Sequence, residues 1–280
     1  MRRRFIQITL LLIGLTLLPG FVSLEAMFSP KADLWEKWQV HDPKSKLEID
    51  HGAWQGLLTK LVVPYTDGIN RVRYQHITKE DGAQLQSYLN HLRQLPISIY
   101  TRDEQRAYWV NLYNAATVFL VRQHYPVPSI RDIKIGGNWL SSGPWDRKLL
   151  EIEGEQLSLN DIEHRILRPI WRDPRIHYAL NCASLGCPNL STSAFTAANT
   201  EKLLNNGAAD FINHPRAVGI TDKGLNLSKI YLWFEGDFAD EGKGVLGHLV
   251  KYAKPELADK LEQTPDIDTH SYDWSLNDAR

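Results

Sequence analysis

The chain has 280 residues, 43% of them hydrophobic and 23% charged, the balance of a folded globular protein with room for one sizeable core. Its 32 Lys and Arg stand against 33 Asp and Glu, for a formal net charge of -1. So even a balance offers no general field for nucleic acid or anionic lipid, and no nucleic-acid partner is expected.

At the N-terminus, Arg2, Arg3 and Arg4 form a positive block, and Phe5 to Leu18 is almost wholly apolar. Pro19 and Gly20 break the run, and the small residue Ala26 follows shortly after. This order predicts a secretory signal over residues 1–26, so the protein is expected to be exported, periplasmic or secreted. The alternative is an uncleaved N-terminal anchor, since an apolar stretch reaching Leu24 approaches bilayer length. A membrane is a partner only in that case. Residues 27–261 are expected to form a single globular domain, and the polar residues 262–280 a loose tail.

Trp35 and Trp38 stand at helical spacing and predict a first helix within 27–50. The same periodicity recurs at Trp54, Leu57, Leu58 and Leu61, and again at Leu85, Tyr88, Leu89 and Leu92. Thr101 and Glu104 then read as a capping box opening a long helix that Pro126 closes. Ala107 to Val121 is apolar on nearly every face, which predicts a buried helix. Asn111 and Asn114 interrupt it on one face. Buried amides must find partners, so they either tie down neighbouring loops or serve a site.

Gly136, Gly137, Trp139, Gly143 and Trp145 read as a loop with short strands, followed by a hairpin across Glu153-Gly154. Ser158 caps a helix that Pro169 is expected to end. Leu159, Ile162, Ile166 and Leu167 form its apolar stripe, with Glu163 inside the stripe and His164 at its edge. A carboxylate on a core-facing stripe is costly unless paired or protonated. Alternation of Ile176, Tyr178 and Leu180 predicts a strand over 175–182, leading into a tight loop through Cys182 and Cys187. A helix around 197–213, a hairpin joining 217–220 to 225–227, and helical packing around Phe234, Phe238 and 246–252 complete the chain. The fold class is α+β: several helices packed on a small antiparallel sheet.

No Walker loop, HExxH or GxSxG is present, and no cofactor is expected. What remains is a cluster of Asn111, Asn114, Glu163, His164, His177, Asn181, Cys182 and Ser184. Three ordered stretches carry a resemblance here: Tyr-Trp-Val-Asn-Leu-Tyr-Asn (108–114), Ser-Leu-Asn-Asp-Ile-Glu-His-Arg-Ile-Leu-Arg-Pro (158–169) and Asp-Pro-Arg-Ile-His-Tyr-Ala-Leu-Asn-Cys-Ala-Ser-Leu-Gly-Cys-Pro (173–188). Over roughly residues 50–250 the chain resembles the family catalogued as domain of unknown function 547. The resemblance implies a papain-like or transglutaminase-like α+β fold with a thiol site.

Two readings of the cluster follow. In the first, Cys182 is a nucleophile, His177 or His164 the base, and Glu163 the group that orients the imidazole. Asn111, Asn114 or Asn181 would then donate to a developing oxyanion. Such a thiol-dependent hydrolase or acyltransferase would act on amide or ester bonds, in a peptide or a cell-envelope component. In the second, Cys182 and Cys187 form a disulfide, which export permits, and the domain is a non-catalytic binding or scaffold module of the envelope. A zinc site built on the same two Cys and a His lacks a second Cys pair, and no metal is expected.

Overall fold

The computed structural model describes residues 29–135, 143–239, 244–264 and 266–279. The expected signal or anchor over 1–26, and Gly136, Gly137 and Trp139, lie outside these residues.

A helix apolar on every face is stable only when surrounded. Arg102–His124 is such a helix, buried almost continuously from Glu104 to Val121. We call it α3, after α1 (Gly52–Leu61) and α2 (Lys79–Gln94), both of which belong to the same apolar core. Thr101 caps α3, its Oγ1 accepting from the Glu104 N–H at 3.3 Å. The return half of the expected capping box is not made, because the Glu104 carboxylate accepts from the Ile49 N–H instead, at 3.2 Å.

The helix opened by Ser158 differs from its sequence pattern. Ser158 and Asp161 cap one another, but Asp161–Leu167 is wound as a π-helix, with the Arg168 N–H bonded to the Glu163 carbonyl. Pro169 does not end it. A short α-helix, α4 (Arg168–Trp171), follows with Pro169 in its first turn. Widening to i+5 bonds leaves the His164 carbonyl without its ordinary donor, and Pro169 has no N–H to give Arg165. An incoming segment supplies both: Asp33 N–H donates to His164 O at 2.9 Å and Trp35 N–H to Arg165 O at 3.0 Å. This is why the helix predicted around Trp35 and Trp38 is reduced to a 3₁₀ turn, Glu36–Gln39. Its backbone is engaged elsewhere, with Trp38 packed edge-on to Trp109 at 5.1 Å.

The strand predicted over 175–182 is also corrected. Pro174–Tyr178 is a 3₁₀ helix. The Asp173 side chain accepts from the Arg175 N–H at 2.9 Å, and Pro174 is pre-set for a helical first turn. Ile176, His177 and Tyr178 are all buried, so the alternation in sequence did not mark an inside and an outside.

The sheet content is divided among three small sheets. β1 (Val62–Pro64) pairs antiparallel with β2 (Asn70–Val72). β3 (Leu150–Ile152) and β4 (Glu155–Leu157) form the expected hairpin, whose turn needs positive φ at Glu153 (45°) and Gly154 (80°). After α5 (Thr200–Ile212), β5 (Val218–Thr221) pairs antiparallel with β6 (Gly224–Ser228). The short helices α6 (Ile230–Trp233) and α7 (Glu235–Phe238), then α8 (Gly244–Tyr252) and α9 (Pro255–Gln263), pack beyond it.

The C-terminal residues are not a loose tail. β7 (Ile267–Ser271) joins the free edge of β6 in parallel. The chain then bonds to β2 through Val72 N–H to Asn277 O at 2.8 Å and Ala279 N–H to Val72 O at 2.9 Å. Edge addition is made by backbone groups, so the polar side chains gave no sign of it. No described helix is long and apolar enough to cross a membrane. The buried apolar residues form two clusters, one around α3 and one around α5, β6 and α8.

Candidate functional site

A cavity of about 500 Å³ lies where the two clusters meet. Tyr113 reaches it from α3, Glu163 and His164 from the π-helix, His177 from the 3₁₀ helix, and Leu180 and Cys182 from the loop that follows. Trp145, Trp233, Phe234, Tyr272 and Trp274 supply aromatic walls. The ring of Trp274 lies 5.8 Å from Trp145, 5.7 Å from Trp233 and 4.6 Å from Tyr272.

His177 is fixed from two sides. Its ring stacks on Phe234 with centroids 4.4 Å apart and planes at 14°, and its Nε2 lies 2.6 Å from Asp237 Oδ2. Asp237 also accepts from Arg168, Nε at 2.6 Å and Nη2 at 3.1 Å. Burial opposes the Asp237 charge, but the bonds from His177 and Arg168 outweigh it and hold the carboxyl well below the usual carboxylate range. An ionised Asp237 can only accept, so His177 donates from Nε2 and Nδ1 is its remaining nitrogen. Nδ1 lies 3.7 Å from Glu163 Oε1, beyond hydrogen-bond reach.

His164 is differently placed. Arg168 Nη1 lies 3.0 Å from its Nδ1, and a guanidinium has no acceptor, so Nδ1 accepts and Nε2 carries the proton. Burial pushes His164 down to about 4, against the opposing pull of Glu163. Its lone pair is committed to Arg168, which removes His164 as the base of a thiol site. Glu163 is 12% exposed at its side chain, and its Oε2 accepts from the Tyr113 hydroxyl at 3.1 Å. Glu163 does not orient an imidazole through a hydrogen bond as expected; Asp237 occupies that place.

Cys182 and Cys187 are joined in a disulfide, and among the described residues there is no free Cys. The Cys182 nucleophile of the first reading is therefore masked in this structure. The Cys182 sulfur lies 3.0 Å from the Tyr272 hydroxyl, which also meets Ser184 Oγ at 2.9 Å. Burial raises the Tyr272 pKa well above its usual value, so the phenol keeps its proton. With no S–H to offer, the sulfur accepts from Tyr272, and Ser184 donates to the phenol oxygen. Ala183 between them takes a left-handed φ of 54°, a conformation unfavourable for a residue with a Cβ. The disulfide loop also anchors the C-terminal wall: Leu185 N–H donates to Ser275 O and Gly186 N–H to Asp273 O, each at 2.8 Å. Gly186 is required there, since a Cβ would sit 2.7 Å from the Asp273 nitrogen.

The three Asn residues expected as oxyanion donors are not among the cavity-lining residues; both ends of the Asn111 and Asn114 amides are engaged elsewhere, whereas for Asn181 only the oxygen is, its buried Nδ2 having no hydrogen-bond partner among the described residues. Asn111 gives Nδ2 to Phe195 O at 2.7 Å and takes Phe195 N–H at 3.0 Å. Asn114 gives Nδ2 to Ala179 O and takes Asn181 N–H, both at 2.8 Å. Asn181 Oδ1 accepts from Ala183 N–H at 3.0 Å, and all three are buried. Asn111 and Asn114 are ties for loops. Among the described residues no group of three or more His, Cys, Asp or Glu is placed to hold a metal ion.

Sequence reasoning missed Asp237, the role of Arg168, and the aromatic walls. Tyr272 and Trp274 carried a signal, being two large aromatics in an otherwise polar segment. Asp237 carried none, as one acid among many.

Structure and site together define an α+β domain with an aromatic cavity floored by a carboxylate and an imidazole. Residues 97–212 match the model of the family described as protein of unknown function, DUF547, in keeping with the resemblance read from the three motifs. That span holds α3, the π-helix, His177 and the disulfide loop; Asp237, Tyr272 and Trp274 lie beyond it. No curated protein and no solved structure matches the chain, and the papain-like expectation is not confirmed.

Proposed function

We propose that this chain is an exported binding protein of the cell envelope, which holds a small ligand in its aromatic cavity while the Cys182–Cys187 disulfide braces one wall. The observation that carries this reading is the disulfide itself: the cavity-side sulfur is bonded to Cys187 and accepts from Tyr272. A bonded sulfur is not a nucleophile, and an exported compartment preserves such a bond. Cavities of this size, mainly apolar with a few convergent polar groups, are the ordinary form of small-molecule sites. The test is a free-thiol count on the native protein with N-terminal sequencing. No thiols before reduction, two after it, and a first residue near Met27 are expected. Two thiols in the native protein would overturn the reading.

One observation favours a second reading. Asp237 holds His177 at Nε2, and Nδ1 has no hydrogen bond from a described residue, in a cavity that Cys182 also lines. This is the arrangement of an orienter and a base. After a dithiol reductant opens the disulfide, the Cys182 thiol would give its proton to Nδ1 and attack an ester or amide carbonyl. Collapse of the tetrahedral adduct would expel the alcohol or amine with that proton and leave a thioester on Cys182, and water, giving a proton to Nδ1, would hydrolyse this thioester to the free acid, the proton returning to the sulfur. Ester hydrolysis that appears on reduction and vanishes in both Cys182→Ser and His177→Ala would establish it. Inertness of the reduced wild type towards esters, thioesters and amides would remove it.

A further inference from the structure

We propose that the ligand of this cavity is an organic cation: a protonated amine carried on an apolar or aromatic body. The inference rests on the binding reading and concerns only the chemistry of the occupant.

Arg168 bonds to His164 and shares Asp237 with His177, and it is committed to Asp237 through two oxygens, to His164 Nδ1 and to the Pro30 carbonyl. It has no ion pair with Glu163. Across the described residues, the charged-group neighbours of Glu163 are the two imidazoles, at 3.7 and 3.9 Å, and no Lys or Arg nitrogen pairs with it. Burial keeps the nearer-to-Arg168 imidazole, His164, neutral. Glu163 Oε2 receives the Tyr113 hydroxyl, while no hydrogen bond reaches Oε1 from a described residue. A carboxylate this far removed from water is costly without a counter-charge. Elsewhere in the lining, Asp146 carries a second negative charge and Arg131 a positive one. Among the Lys, Arg, Asp and Glu of the lining, Asp146 and Glu163 stand against Arg131, two acids against one base.

Trp233, Phe234, Tyr272 and Trp274 line the same cavity as Glu163; Arg168 lies over the Phe234 ring at 4.7 Å and Arg131 over the Trp274 ring at 5.0 Å, so the rings already draw cations, and Trp233 and Tyr272 are left for a ligand. Aromatic faces are electron-rich and attract cations, most strongly when both partners are desolvated. An anionic ligand would meet these faces and Glu163 with repulsion. A neutral polar ligand would leave the carboxylate without its counter-charge. A protonated amine answers both features at once, its ammonium donating to Glu163 Oε1 and its body lying against Trp233 and Tyr272.

The experiment compares three probes of one shape on the full native chain: 2-phenylethylamine, 2-phenylethanol and 3-phenylpropionate. Binding is read from tryptophan fluorescence, since Trp145, Trp233 and Trp274 line the cavity, and from the thermal midpoint. The amine is expected to bind at least about tenfold more tightly than the alcohol, with the propionate weakest. Glu163→Gln should bring the amine to the level of the alcohol. An alcohol or propionate that binds as tightly as the amine, or an amine preference that survives Glu163→Gln, overturns the cation and leaves the binding reading in place. Silence of all three probes also overturns the cation, whereas the binding reading itself is decided by the thiol count.

Discussion

Asn114 and Glu163 present the same anomaly: a polar side chain set in an apolar helical pattern. The structure uses them in opposite ways. Asn114 spends both ends of its amide on the backbone, joining Ala179 O and Asn181 N–H. Asn111 does the same for Phe195 at both its carbonyl and its N–H. These residues complete the hydrogen bonding of loops that have no sheet or helix to satisfy them. Glu163 accepts one hydroxyl and faces a cavity, with acceptor capacity to spare. Saturation separates architecture from site here. A buried polar group whose partners are all backbone holds the fold, and one left with unused capacity beside a cavity is available to a ligand.

The hardest test of this division falls on the architectural side. Asn114→Ala leaves two buried backbone groups without partners, at about 1–3 kcal/mol each. A loss of about 4 kcal/mol in urea denaturation is expected, accompanied by loosening of the loop that carries Asn181 and Cys182. A cost below about 1 kcal/mol would mean that water or relaxation replaces the amide, and the division would lose its clearest member.

Acid should act next. Burial holds both His51, in the core, and His164, at the cavity, down to about 4. In the unfolded chain each would take a proton near 6.5. The unfolded state therefore binds more protons between these values, and stability falls as pH is lowered through that window, then levels for these groups below it. The expected loss from pH 7 to 4.5 is about 2.4 kcal/mol for each group. His164→Gln should remove about half of the slope. A flat urea midpoint across this range would show that neither ring is held neutral.

Breaking the disulfide should cost less, about 2 kcal/mol, because the ring it closes is small. The location of the effect matters more than its size. Reduction should raise amide exchange at Leu185 and Gly186, which bond to Ser275 and Asp273, while Phe195 N–H, held by Asn111, stays protected. Equal exchange at both places would erase the distinction between a braced wall and a tied loop.

Much of this was legible in the sequence, and the reasons for the rest are specific. Periodicity located α1, α2 and α3 because one apolar stripe or an all-round apolar surface determines them. The β3–β4 and β5–β6 hairpins were marked by their turn residues. The π-helix escaped notice, because the cause of its winding is distant: the donors that satisfy its freed carbonyls are Asp33 and Trp35. β7 escaped because backbone pairing leaves no side-chain pattern. In the site, Glu163 and His177 stood out by their neighbours in sequence. Asp237 reaches His177 from 60 residues away, and nothing in its own segment distinguished it.

The smallest expected effect on stability is the most telling for the cavity. Glu163→Gln preserves the shape of the side chain and leaves a carbonyl oxygen to accept from Tyr113. It breaks no ion pair with Lys or Arg, since none is made among the described residues. It removes a largely buried charge, which by itself favours the folded state, and it gives up the charge assistance in one hydrogen bond, which costs about as much. These terms oppose, so the urea midpoint should move by no more than about 1 kcal/mol in either direction. The contrast with Asn114→Ala then becomes quantitative: one residue the fold needs, and one it merely accommodates. A loss above about 3 kcal/mol for Glu163→Gln would place Glu163 with the amides of α3, as a group that the fold requires, and the case for an unmet carboxylate awaiting a ligand would fall with it.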